Sequence, residues 1–230
     1  MSYLLYEGPS MLDGNPIFAA LTGIERPSTN IKTGPMAQTF ILRSDMSPIA
    51  ANHTGADHSI CGTCPLKGTN GKQRSCYVTL FQAPNNVYRY RDRLKPLPRN
   101  IFQHRAVRLG AYGDHAALPV AVTARIAKHA AMTTGYTHQW RTCDPDLRKY
   151  LMASCESAAD RELAKQMGWS TFRIKSTDAP KLKGETICPA SDEGGKIMTC
   201  YTCGRCSGNQ AKDVVITVHG TGKRHFDLLE

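Results

Sequence analysis

Apolar and polar positions alternate in two regimes along the 230 residues. Up to about residue 38, Gly8, Pro9, Gly14, Pro16, Gly23, Pro27, Gly34 and Pro35 interrupt every apolar run, too often for a long helix or strand. Residues 1–38 therefore read as a loop-rich wrapping segment. Residues 39–105 open on TFILR, the first credible strand, pass through a loop rich in Gly, His and Cys that ends near Cys76, and close on the basic run YRYRDRLKPLPR.

From residue 106 to 230 the pattern becomes regular. AVRLG reads as a strand, and LPVAVTARIAKHAAM as a helix with Pro119 in its first turn and Leu118, Val122 and Ile126 on an i, i+4 ladder. GYTHQW is a strand by its period of two. Asp144 and Pro145 cap and open a short helix containing Leu147. LMASC is the next strand, followed by a helix striped by Ala159, Leu163 and Met167, capped by Ser157 and ended by Gly168. TFRIK, ETIC and VVITV complete the strands. Strand and helix alternate with short connections, the signature of parallel βα units. The expected architecture is a single α/β domain, a partial or distorted βα barrel with cysteine-rich metal-binding loops at the C-terminal ends of its strands.

Ligands in such folds sit in the loops that follow the strands. TFILR leads into one cysteine loop and ETIC into another, so two groups far apart in sequence are expected on one face of the molecule. Within TFRIK, Phe172 and Ile174 are expected to pack under helices, leaving Arg173 and Lys175 on the other side, with Arg108 of AVRLG behaving likewise. These three bases are either anion-binding groups or solvated edge positions.

Composition adds constraints. Hydrophobic residues make up 41% and charged residues 21%, which excludes global disorder. No apolar run approaches the ~18 residues of a membrane span, and the N-terminus lacks the basic region of a signal peptide, so no membrane association and a cytoplasmic location are expected. The formal charge of +10 favours an anionic partner, nucleic acid or an anionic small molecule. Seven thiolates around two cubanes of core charge about +2 each would still leave about +7.

Nine cysteines in a reducing compartment point to metal or catalytic use in place of disulfides. Cys188, Cys200, Cys203 and Cys206 form a Cys-Pro element followed by CxxCxxC, a spacing that wraps a 4Fe-4S cubane. Bacterial ferredoxins also supply a ligand from a cysteine followed by proline. Zinc competes, although four-thiolate zinc sites usually read as two separated CxxC pairs. Cys61, Cys64 and Cys76 supply three thiolates, with either an open fourth position or a ligand from His53, Asp57 or His58. One or two 4Fe-4S clusters are expected, with zinc as the alternative metal. Cys143 and Cys155 read as structural.

Asp114, His115, His138 and His219 lie at strand ends, where catalytic groups occur, and each has a plain alternative as a cap or packing residue. Arg89, Arg91, Arg93, Lys95 and Arg99, interleaved with Tyr88 and Tyr90, form a nucleic-acid footprint or a solvated face.

Taken together, NIKTGPM, SICGTCPLKG, LGAYGDHAALP, GYTHQW, MASC and the final CxxCxxC followed by ITVHG resemble the gene product eighty-eight family of tailed phages, whose function is unknown, from Asn30 to Gly220. The resemblance implies a viral origin and expression in the cytoplasm of an infected bacterial host. A looser similarity to radical SAM enzymes rests on a three-cysteine loop after the first strand of a partial barrel. The chain departs from that family's CxxxCxxC spacing. The expected function is a phage iron-sulfur protein, a redox or radical-type enzyme acting on an anionic or nucleic-acid-related substrate. The alternative is a zinc-stabilised nucleic-acid-binding protein without catalysis.

Overall fold

The structure, a computed structural model, describes residues 2–68, 73–209 and 211–226. Nine strands form one sheet: β1 (Tyr3–Pro9), β2 (Pro16–Thr22), β3 (Ala37–Arg43), β4 (Ala106–Tyr112), β5 (Met132–Thr137), β6 (Met152–Cys155), β7 (Thr171–Lys175), β8 (Thr186–Ile187) and β9 (Val214–Thr217). Their spatial order is β1-β2-β3-β4-β5-β6-β7-β9-β8, and the two ends do not meet. The pairs from β3 onward are parallel, while β1, β2 and β3 pair antiparallel. The fold is thus α/β with a mostly parallel open sheet.

The first 38 residues are not a loop-rich wrap. Gly14 stands in the turn of a β-hairpin, and Pro9 and Pro16 pair at its turn end, where the ladder stops. Ile17, Ala19, Ala20 and Leu21 are fully buried between β1 and β3. The exposed edge of β1 is covered by the basic run, where Leu4 N–H donates to the Lys95 carbonyl at 2.9 Å and Lys95 N–H to that of Ser2 at 3.1 Å.

The helices are α1 (Pro48–Thr54), α2 (His58–Cys61), α3 (Ala83–Arg89), α4 (Val120–His129), α5 (Ala158–Gln166) and α6 (Cys200–Cys203). Residues 115–117 and 145–149 are 3-10 turns, capped by Asp114 and Asp144. Ser157 caps α5 by accepting from Asp160 N–H at 3.0 Å, and Gly168 ends it with φ of 81°. The expected stripe on α5 faces the wrong way, since Leu163 and Met167 are exposed and the buried face is Arg161 and Ala164. The cause is electrostatic: Arg161 donates to Asp213 at 2.7 Å, which turns that side of the helix to the sheet.

The period of two in the strands separates two faces. Val107, Leu109, Ala153 and Cys155 belong to the main core, together with Ile126 of α4 and Ala164 of α5. The opposite face presents Arg108 and Thr134, Tyr136, Ser154, Phe172 and Ile174, then Val214 and Ile216, to a cavity. Phe172 and Ile174 therefore face the cavity and not the helices. None of the described helices is long and apolar enough to cross a membrane.

Candidate metal centre

The cavity has a volume of about 390 Å³, and all seven cysteines of the two groups line it. β3 ends in the loop carrying Cys61, Cys64 and Cys76, and β8 in the loop carrying Cys188, Cys200, Cys203 and Cys206. Parallel strands place both loops at the same end of the sheet, and Ile174 of β7 packs against both of the apolar clusters that border the cysteine sets. Around Cys188, Cys200 and Cys206 are Met152, Phe172, Val214 and Ile216, and around Cys64 and Cys76 are Leu66, Val218 and Phe226. The sulfurs thus share an apolar cavity.

That setting governs their protonation. Burial pushes the thiols of Cys61, Cys76 and Cys200 up, neighbouring sulfurs in each group adding to the effect, and pushes Cys206 up to about 12 although Tyr136 hydrogen-bonds its sulfur. Thiols in such a place stay protonated until a metal displaces the protons. Every cysteine is free of disulfides.

Among the described residues, no three His, Cys, Asp or Glu side chains converge as a single ion would require. Zinc at ~2.3 Å from each sulfur needs its thiolates less than about 4 Å apart. A cubane presents a different iron to each thiolate and accepts a wider spread. Cys188, Cys200, Cys203 and Cys206 from one loop and Cys61, Cys64 and Cys76 from the other are the candidate thiolates around this cavity.

The first loop is braced by side chains. Asp57 accepts from Lys67 Nζ at 2.8 Å and from Asn52 Nδ2 at 2.7 Å, so it is a structural anchor and not a fourth ligand. His53 and His58 are exposed and outside the cavity. Gln139 Nε2 donates to the Cys61 carbonyl at 3.1 Å, while its Oε1 accepts from Thr63 N–H at 3.2 Å. Gly62 has φ of 53°, and a Cβ there would lie 2.4 Å from the Gln139 carboxamide, so only glycine lets the loop close. The second loop is held by backbone: Cys188 N–H donates to Val215 O at 2.8 Å, Cys200 N–H to Lys32 O at 2.8 Å, and Gly135 N–H to Cys206 O at 3.0 Å.

The four residues expected at strand ends divide. Asp114 is buried and accepts from Ala116 N–H, His138 N–H and Thr137 Oγ1 at 2.8–3.0 Å, the plain capping role. Burial raises its pKa. His115 lies outside the cavity between Thr39 Oγ1 and Thr123 Oγ1, each at 2.8 Å, and burial holds it neutral down to about pH 3. It is a packing residue. His138, placed just after β5, lines the cavity with Nε2 2.9 Å from Glu156 Oε1 and a hydrogen bond to the Cys64 sulfur. Burial opposes its charge, but Cys64 and Glu156 outweigh that and raise its pKa well above the ordinary value. His219 stacks on Tyr77 at 5.2 Å and also lines the cavity.

Of the three bases expected at the active face, only Arg108 reaches the cavity. Arg173 is closed by a two-pronged pair with Glu185 at 2.6 and 2.8 Å, and buried Lys175 lies 3.4 Å from Glu193. Both are structural ion pairs on the opposite face. Arg89, Arg93, Lys95 and Arg99 are exposed, away from the cavity, and Arg91 covers the Tyr88 ring at 4.3 Å.

Residues not singled out as site candidates by spacing complete the site: Lys32, Tyr77 and Tyr136 on the cavity, with Glu156 behind His138. Burial pulls the Lys32 ammonium below the ordinary lysine value, while the sulfurs of Cys188 and Cys200 act the other way. Only Tyr77, next to Cys76, carried a positional signal. Cys143 and Cys155 stay out of the cavity. The Cys155 thiol donates to the Ala153 carbonyl at 3.6 Å, and burial pushes Cys143 up to about 12.

In comparison with known proteins, no family model, curated protein or solved structure matches the chain.

Proposed function

We propose that the protein is an iron-sulfur redox enzyme whose two cysteine groups each hold a 4Fe-4S cluster on one shared cavity, where an anionic substrate binds. The observation that carries this reading is the lining of a single cavity by all seven cysteines from two distant segments. Structural staples for two separate loops would have no need to face a common space. The monotonic order from β1 to β7 supports a partial βα barrel whose inward face is the cavity wall. The motif set supports a phage protein of the gene product eighty-eight family, working in the cytoplasm of an infected cell. The likeness to radical SAM enzymes extends to the architecture and to the three-cysteine loop, and not to the spacing of its cysteines.

When bound, such clusters supply electron transfer, and one with three protein thiolates also supplies an iron able to take a further ligand. The chain's own contributions are distinct. Apolar side chains keep water from the sulfurs, the Tyr136 hydroxyl donates to Cys206 and lowers the electron density on that sulfur, and His138 bridges Cys64 to Glu156. Anaerobically purified protein is expected to be brown and to carry about eight iron and eight sulfide per chain. Stoichiometric zinc without iron or sulfide would replace this reading with the zinc-stabilised one, in which exposed Arg89, Arg93, Lys95 and Arg99 grip nucleic-acid phosphate.

A further inference from the structure

Burying a positive charge is costly unless an anion stands beside it. Most of the chain's buried bases obey this rule with carboxylates: Arg43 with Asp45, Lys67 with Asp57, Arg161 with Asp213, Arg173 with Glu185 and Lys175 with Glu193, at 2.6–3.4 Å. Two half-buried bases that line the cavity, Arg108 and Lys32, have no such carboxylate among the described residues. Neither Arg108 nor Lys32 forms an ion pair among the described residues, and the Arg108 guanidinium has one hydrogen bond, from Nη2 to the Tyr77 hydroxyl.

The surroundings of these two bases are those of a binding site. Arg108 rises from the floor of the cavity in β4, and Lys32 enters from the loop whose carbonyls receive the N–H groups of Cys200 and Tyr201. Tyr77, which holds Arg108, follows directly on Cys76 of the first cysteine group and stacks on His219. On the other side, Arg108 interacts with the Cys200 sulfur of the second group. A guanidinium carries five N–H donors in a planar fork, so several remain free for the cavity, in the geometry that pairs with an oxyanion. Tyr136 and Phe172, stacked with centroids 4.0 Å apart, give an apolar wall beside it.

We propose that Arg108 and Lys32 form a binding site for a small-molecule oxyanion, a carboxylate or phosphate group, held in the cavity between the two cysteine groups. The assignment of this cavity as the functional site rests on the iron-sulfur reading, while the anion site itself is tested on the protein as purified, with iron and zinc measured on the same sample. Loss of the one reading is therefore distinguishable from loss of the other.

The test is anaerobic titration calorimetry with inorganic phosphate and with malonate, which separate a phosphate-type from a carboxylate-type ligand. Saturable binding of at least one probe is expected, weakened about tenfold to a hundredfold in Arg108→Gln and in Lys32→Gln. Lys128→Gln, on the exposed side of α4, is expected to bind as the parent does. Lys32 lies in a loop, so Lys32→Gln keeps the test decisive even where Arg108→Gln fails to fold. Absence of saturable binding by both probes, or binding unchanged in the folded Arg108 and Lys32 variants, would overturn the proposal. The two bases would then serve as counter-charges to metal-bound thiolates, visible as a shift in reduction potential without any change in anion binding.

Discussion

The two cysteine loops end on the same cavity but are built in opposite ways. The first, between β3 and α3, is fastened mainly by side chains, Asp57 to Lys67 and Asn52 within the loop and Gln139 to Thr63 and Cys61 across the fold, with a backbone bond from Asp114 N–H to the Ile60 carbonyl at 2.6 Å. The second, between β8 and β9, is fastened mainly by backbone pairs at a few points and by its own capping box, Thr199 with Thr202, with Glu193 as its side-chain link to Lys175 at 3.4 Å and Thr217 at 2.6 Å. It leaves Ile197 77% and Tyr201 47% exposed, so few apolar contacts hold it down. On the proposed reading, the first loop is preorganised and the second depends on a bound metal for its order.

The most damaging cut should be in the first loop's anchor. Asp57→Ala leaves the Lys67 ammonium without its carboxylate and takes one of two acceptors from Asn52, and is expected to cost ~3–5 kcal/mol in urea unfolding. The solvent-exposed pair of Lys196 with Asp192 in the second loop is the matched control, where Lys196→Ala should change stability by under ~0.5 kcal/mol. Equal losses at the two positions would erase the contrast.

Metal removal should act the other way round. After anaerobic chelation, amide exchange in residues 188–206 is expected to accelerate about a hundredfold, ~2.7 kcal/mol of lost protection, with much smaller change at residues 57–64. Uniform loss in both loops would show that the first is no better preorganised than the second.

Acid offers a subtler probe of the first loop's foundation, because His115 lies beside the Asp114 turn on which that loop rests. Its folded pKa is depressed to about 3 by burial, below the unfolded value of ~6.5. The unfolded chain therefore binds a proton that the folded chain refuses, and stability falls as pH drops below ~6.5, by at most ~1.4 kcal/mol per pH unit for this group. Stability curves of the parent and His115→Gln between pH 7 and 4 should differ in slope, the variant being flatter. A modest effect is expected at the second loop's cap, where Thr199→Ala should cost ~1 kcal/mol without altering the first loop's exchange.

Much of this organisation was legible from residue spacing. Cysteine positions and the strand preceding each loop were enough to expect a common face, because parallel strands direct their following loops to one end. Side-chain direction was less legible. A period of two states that Phe172 and Arg173 face opposite ways, but not which way, and here the apolar pair faces the cavity because Arg173 finds Glu185 on the helix side. The same blindness put the α5 stripe on Leu163 and Met167, when the Arg161 to Asp213 pair sets the helix rotation. Glycine and proline punctuation obscured β1 and β2, whose turn and ends absorb those residues. The roles of Lys32 and Glu156 were not legible, since a loop lysine and a carboxylate after a strand acquire meaning only from what folds against them.

Electron paramagnetic resonance of dithionite-reduced, cluster-reconstituted protein, alongside the Cys64→Ala and Cys203→Ala variants, tests the shared cavity most directly. Two reduced clusters in one cavity should broaden each other's signals, and each variant should keep about half the iron and show one simple, uncoupled signal. A parent spectrum equal to the plain sum of the two variants, or variants that retain all of the parent's iron, would contradict the account.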